Sequence, residues 1–76
     1  MNNKQQFTEV FGNNVRKVRT ERRMTLEQLS LEAGLTYSQI SRIELGKINT
    51  SAYTVYLLSK TLQVSPSELF SNNGEK

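Results

Sequence analysis

Between Thr25 and Glu44 the sequence carries two helix starts with almost no chain between the helices they begin. Thr25-x-x-Gln28 and Thr36-x-x-Gln39 are both capping-box patterns. In such a box the threonine hydroxyl accepts the third backbone N–H, and the glutamine reaches back to the cap's own N–H. Leu26, Leu29 and Ala33 form the inner side of the first helix, and only Gly34 and Leu35 precede the second cap. Two helices cross steeply through so short a turn only under strict conditions. The turn needs a residue that tolerates positive φ, which Gly34 does, and a left-handed glycine also stops the first helix. The first helix needs a small side chain at the crossing, supplied by Ser30. The inner positions must be apolar, as Leu29, Ala33, Leu35, Ile40 and Ile43 are. The outer side of the second helix is left free and carries Tyr37, Ser38, Ser41, Arg42 and Leu45.

The flanking sequence has the same helical period. Phe7, Phe11, Val15 and Val18 recur at i, i+4, i+8 and i+11, widened by Val10, and predict a helix over 7–21. Arg22–Met24 is the link to the next. Gly46 ends the helix that begins at Thr36, and 47–50 is a loop. A fourth helix is expected over 51–62, with Ala52, Val55, Leu58, Ser59 and Leu62 on its inner side. Ser65-Pro66-Ser67-Glu68 starts a fifth, short helix, with Ser at the cap, Pro at the first position and Glu at the third. Leu69 and Phe70 follow. The expected fold is all-α, a five-helix bundle over 7–70, with a flexible N-terminus at 1–6 and a flexible tail at 71–76.

Composition narrows the chemistry. The 76 residues contain no Cys, His or Asp, and all seven acidic residues are Glu. Disulfides, Ser-His-Asp and Cys-His nucleophiles and the usual zinc ligand sets are therefore out of reach. No cofactor, metal or small-molecule ligand is expected, nor is an enzyme. Apolar runs are too short to span a membrane, and Met1–Gln6 lacks the apolar stretch of a signal peptide, so a cytoplasmic location is expected. The net charge is only +3, but Arg16, Lys17, Arg19, Arg22 and Arg23 place five cations within eight residues against Glu21. A basic stripe on a near-neutral remainder suits contact with a polyanion.

An exposed helix carrying Tyr37, Ser38, Ser41 and Arg42 has the polarity and dimensions to enter the major groove of double-stranded DNA. Thr25-Leu26-Glu27-Gln28-Leu29-Ser30, Gly34-Leu35-Thr36, Ile40-Ser41-Arg42-Ile43-Glu44 and Gly46-Lys47 resemble the Cro/C1-type (XRE) helix-turn-helix family. The resemblance runs over about 11–70 and implies a lambda-repressor-like DNA-binding domain. In length the chain is similar to restriction-modification controller proteins and small phage-type repressors. The family implies that Tyr37, Ser38, Gln39 and Arg42 read bases, although Gln39 also serves its own capping box. It implies phosphate contacts from Arg16, Thr25, Thr36, Lys47 and Asn49, and a structural ion pair between Arg19 and Glu44. The chain departs from the family at Leu26, where a phosphate-contacting Gln is usual. Ser30 stands in place of Ala and Thr50 in place of Pro. Arg22, Arg23, Lys4, Lys60 and Lys76 are read as solvated.

The fourth helix has a second apolar side, Tyr53, Tyr56 and Leu57, off its inner stripe. An amphipathic helix with two apolar sides needs two partners. Either Tyr53 packs on the loop and Leu57 on the fifth helix, or the side is an interface. The expected interface is a homodimer built from Tyr53, Tyr56, Leu57, Val64, Leu69 and Phe70, acting as a transcriptional regulator on a pseudo-palindromic operator. The alternative is an antitoxin or adaptor-type module that grips another protein through the same stripe.

Overall fold

The computed structural model describes residues 3–71, and within them the chain forms helices and no strand. In order these are α1 (Asn3–Glu21), α2 (Leu26–Ala33), α3 (Tyr37–Glu44), α4 (Ala52–Leu62) and α5 (Pro66–Phe70). α1 lies against α3 and α5, α2 against α3 and α4, and α4 against α5. The core is Phe11 and Val15 of α1, Leu29 and Ala33 of α2, Ile40 and Ile43 of α3, Leu58 and Leu62 of α4, and Leu69 of α5. Val18, Met24, Leu26, Leu35, Ile48, Val55 and Val64 pack around it. None of the described helices is long and apolar enough to cross a membrane.

Both capping boxes form. Thr25 Oγ1 accepts from the Gln28 N–H at 3.0 Å while Gln28 Oε1 accepts from the Thr25 N–H at 2.8 Å. At Thr36 and Gln39 the same two bonds are 3.0 and 2.9 Å. Gly34, at φ 76°, is the left-handed residue between them. The Leu35 N–H then closes back on the Ser30 carbonyl at 2.9 Å.

The ends of the outer elements differ from the sequence reading. α1 begins at Asn3, so residues 3–6, expected as a flexible N-terminus, are helical. Lys4, Gln5 and Gln6 are straight-chain residues that lose little side-chain freedom in a helix. The turn is also tied down: the Thr8 hydroxyl lies 3.0 Å from the Gln5 carbonyl and 3.1 Å from that of Gly46. Ser65 caps α5 in backbone conformation only. Its hydroxyl meets that of Ser67 at 2.9 Å, so a neighbouring side chain competes for the group that would cap the helix. On α4, Ala52 is exposed and Val55 only half-buried, leaving Leu58, Ser59 and Leu62 as the inward stripe. Of the expected tail, residues 72–76 lie outside the described residues, as does Lys76.

Candidate nucleic-acid interface

α3 is held from behind by one row of α1. Thr8, Gly12, Val15 and Arg19 recur at i, i+4, i+7 and i+11 and face α3 and its end. Gly12 is the point of closest approach. A Cβ built there would stand 2.1 Å from the Ile43 carbonyl oxygen and 3.0 Å from that of Glu44. Two turns further along, Arg19 clamps the same end of α3. Its Nε donates to Glu44 Oε2 at 2.6 Å, its Nη2 to Glu44 Oε1 at 3.0 Å and its Nη1 to the Met24 carbonyl at 2.8 Å. This is a fork-on-fork pair, the geometry in which guanidinium and carboxylate fix each other's orientation. The hydrogen bonds to Glu44 raise the Arg19 pKa above its ordinary value, with burial pulling the other way. The Arg19 and Glu44 side chains are only 12 % and 6 % exposed, so they act on the position of α3, from beneath the surface.

The outer side of α3 is open. Tyr37 is 52 % exposed, and Ser38, Gln39 and Arg42 are exposed as well. Ser38 and Arg42 stand one turn apart on one row; Tyr37, Ser41 and Leu45 form the next. Gln39 has its carbonyl oxygen engaged by the Thr36 cap, which leaves its amide hydrogens facing outward. Two shallow depressions border this helix. One is lined by Tyr37 with Arg19, Thr25 and Leu26, the other by Ser41 and Leu45 with Arg16, Arg19 and Leu26. Arg16 of α1, the capped start of α2 and the outer side of α3 therefore share one surface. Lys47 and Asn49 are exposed on the loop that follows α3. Leu26 is half-buried against the core, so the position where the family usually carries an amide is used here for packing.

The residues expected on the second face of α4 do not stay together. Leu69 is fully buried, in contact with the elements around α1 and α4, and cannot belong to an exposed interface. Its carbonyl accepts Asn14 Nδ2 at 2.9 Å, and that of Ser71 accepts the same amide at 2.7 Å. Val64 is half-buried against the core and Leu57 is half-buried. Phe70 stacks on Phe7 and Phe11, with centroids 5.5 and 5.4 Å apart. Tyr53 and Tyr56, 68 % and 52 % exposed and stacked on each other, remain, with Phe70 still exposed at 41 %. Lys60, read as solvated, places its ammonium 5.8 Å from the Tyr56 ring centroid.

Four residues have structural roles that the sequence reading did not assign. Gly12 and Thr8 set the approach of α3, Asn14 ties down α5, and Arg22 donates to the Leu62 and Gln63 carbonyls at the end of α4. Asn14 had a signal: it is a polar residue at i+3 from Phe11, within the apolar stripe.

Comparison with known proteins agrees with this geometry. A helix-turn-helix family model, HTH_3, matches residues 15–69. An uncharacterized HTH-type transcriptional regulator, y4dJ of Sinorhizobium fredii (strain NBRC 101917 / NGR234), is 31% identical over 64 residues, 84% of this chain and 83% of that one. The restriction-modification controller protein C.AhdI from Aeromonas hydrophila superposes with a TM-score of 0.81 at 32% identity, covering 83% of this chain and 96% of its own. An HTH_3 family transcriptional regulator from Vibrio cholerae gives a TM-score of 0.86 at 21% identity over 95% of this chain and 40% of that one, a likeness of fold. The chain belongs to the HTH_3 helix-turn-helix family, a family of DNA-binding transcriptional regulators.

Proposed function

We propose that this chain is a sequence-specific regulator that reads double-stranded DNA in the major groove through α3 and works as a homodimer on a pseudo-palindromic operator. The observation that carries the reading is the combination of a rigid back and an open front on α3. Gly12 and the Arg19–Glu44 pair fix the helix, while Tyr37, Ser38 and Arg42 stay exposed. Arg42 can present two parallel N–H groups to guanine O6 and N7, the strongest single contact this face can make. Tyr37 can donate a hydrogen bond or pack on a thymine methyl, Ser38 reads permissively, and Gln39, with one lone pair of its oxygen held by the cap, offers chiefly its amide donors. Arg16, Thr25, Thr36, Lys47 and Asn49 surround this face as phosphate contacts, which set register rather than sequence. With Leu26 turned toward the core, the grip rests on those five.

The likeness to the restriction-modification controller protein C.AhdI at 32% identity over nearly all of that protein supports a controller-type role. Such a protein acts in the cytoplasm, and no small-molecule ligand enters this reading. The homodimer draws support from the exposed Tyr53–Tyr56 pair. The same pair would serve a different protein partner if the chain were an adaptor, and the oligomeric state separates the two readings.

The test of base reading is a titration of Arg42→Ala against an operator selected from a random pool and against random duplex. A loss of about 1–3 kcal/mol on the operator with little change on random DNA is expected. Equal loss on both would remove Arg42 from the base-reading set.

A further inference from the structure

The family match begins at residue 15, yet α1 begins at Asn3. The preceding turns of α1 run directly past the loop that follows α3. The Thr8 hydroxyl lies 3.1 Å from the Gly46 carbonyl. A Cβ on Gly46 would come within 3.0 Å of the Glu9 side chain and 3.1 Å of the Glu9 Cα. The first turn of α1 and the loop thus form the two walls of one open groove, lined by Lys4 and Thr8 on one side and Lys47 and Asn49 on the other. Lys4, Lys47 and Asn49 are all exposed. Among the described residues neither lysine has a salt-bridge partner, and the first turn of α1 contains no acid. The Glu9 carboxylate, on the next turn of α1, accepts from the Gln5 amide at 3.5 Å.

We infer that this groove takes a backbone phosphate of the bound duplex, with Lys4 as a DNA contact contributed from outside the matched helix-turn-helix segment. The inference rests on the DNA-binding reading above and extends its footprint. Two ammonium groups across a groove repel each other in the free protein, and an anion between them relieves that repulsion. The asparagine amide adds a neutral donor suited to a phosphate oxygen. The close packing of Thr8 and Glu9 on Gly46 makes the two walls one unit, so any placement of the Lys47 loop on the duplex also places Lys4.

Counterion release makes the idea measurable. Each neutralised phosphate contributes about 0.9 to the slope of log K against log salt. Binding of the full chain to a random duplex of fixed length is measured across a salt series for wild type, Lys4→Gln, Lys4→Arg and Lys17→Gln. Lys17 belongs in sequence to the basic stretch of α1, but it lies on the opposite side of the helix from Lys4, in a groove with Glu21 and Glu68 and away from α3, so it matches the change in net charge without touching the site. The expected result for Lys4→Gln is a slope reduced by about 0.9 per protomer and an affinity lowered roughly five- to tenfold at 0.1 M salt. Lys4→Arg should keep the wild-type slope, and Lys17→Gln should keep it too. If Lys4→Gln binds with an unchanged slope while wild type binds steeply, or if Lys17→Gln loses as much as Lys4→Gln, the proposed contact is overturned and the DNA-binding reading stands. A wild-type protein without salt-sensitive DNA affinity would overturn both. All four proteins are compared at equal helicity by circular dichroism.

Discussion

Gly12 decides how closely the reading helix approaches the rest of the domain. Its hydrogen faces two carbonyl oxygens at the end of α3, and both belong to backbone, which cannot rotate aside as a side chain would. Gly12→Ala therefore forces α3 outward or bends α1. Overpacking of this kind costs about 1–3 kcal/mol, and the fixed position of the carbonyls puts this site at the upper end. Urea melts should show the loss directly. Affinity for the selected operator should fall as well, under conditions where circular dichroism shows the variant fully folded, because the face carrying Tyr37 and Arg42 has been displaced. An Ala variant as stable as wild type would mean that α3 moves freely against α1. Arg19 supports the same geometry by a different force. Its pKa is raised by Glu44, so with Glu44 ionised the contribution of the cation is complete up to the pKa of an ordinary arginine. It would be lost only as pH rises through the raised value. The pair holds α3 unchanged across neutral and alkaline conditions.

The ends of the helices show what could be read from the sequence and what could not. α1 to α4 all stop in the same way, with a left-handed residue and a backbone N–H that reaches back over the last turn. The left-handed residues are Arg23, Gly34, Gly46 and Gln63. The residues that follow them, Met24, Leu35, Lys47 and Val64, donate to Arg19, Ser30, Arg42 and Ser59 at 2.9–3.1 Å. Where the left-handed residue is glycine the stop was legible, because glycine announces a positive φ. At Arg23 and Gln63 no glycine marks it, and the ends at Glu21 and Leu62 were placed where the apolar period runs out. There the stop is dictated by the apolar residue that follows, Met24 or Val64, which must turn back onto the core. The early start of α1 was illegible for a similar reason, since the bond from Thr8 to Gly46 joins parts of the chain far apart in sequence. α3, its capping box and its exposed side depended on local spacing alone, and the structure has them as the spacing predicts. The interface on α4 depended on which side of α5 met the core, and Leu69 went inward. Gln63→Gly tests the account of the ends. A non-glycine residue at φ 61° carries about 1 kcal/mol of steric strain. The substitution keeps the backbone bonds and should stabilise the domain by up to about 0.5 kcal/mol in a thermal melt, after the greater chain entropy of glycine is offset. Destabilisation would show that the Gln63 side chain holds α4 in place.

At the scale of the molecule, the question is how a domain of 33 × 24 × 19 Å reaches useful specificity. One α3 helix touches a few base pairs, and genomes offer too many such sites for one helix to discriminate among them. A second copy related by a two-fold axis doubles the site, provided that the two reading helices lie about one helical turn of DNA, roughly 34–36 Å, apart. Two protomers of these dimensions side by side span that distance. Of the residues expected to join them, Tyr53 and Tyr56 are the most exposed, because Leu69, Val64 and Leu57 are wholly or partly committed to the protomer's own packing. Two stacked, exposed tyrosines provide apolar area at small entropic cost, and the Lys60 ammonium stands over the Tyr56 ring. Replacing both by Glu places four like charges across a two-fold contact. Sedimentation should show wild type as a dimer and Tyr53→Glu/Tyr56→Glu as a monomer of unchanged helicity. On DNA the variant should bind a single half-site as wild-type protomers do and lose the cooperative step on a palindrome. If the variant remains dimeric, the two-fold lies elsewhere on the domain. If wild type is itself a monomer at every concentration, the tyrosine pair belongs to a different protein, and the adaptor reading displaces the homodimer.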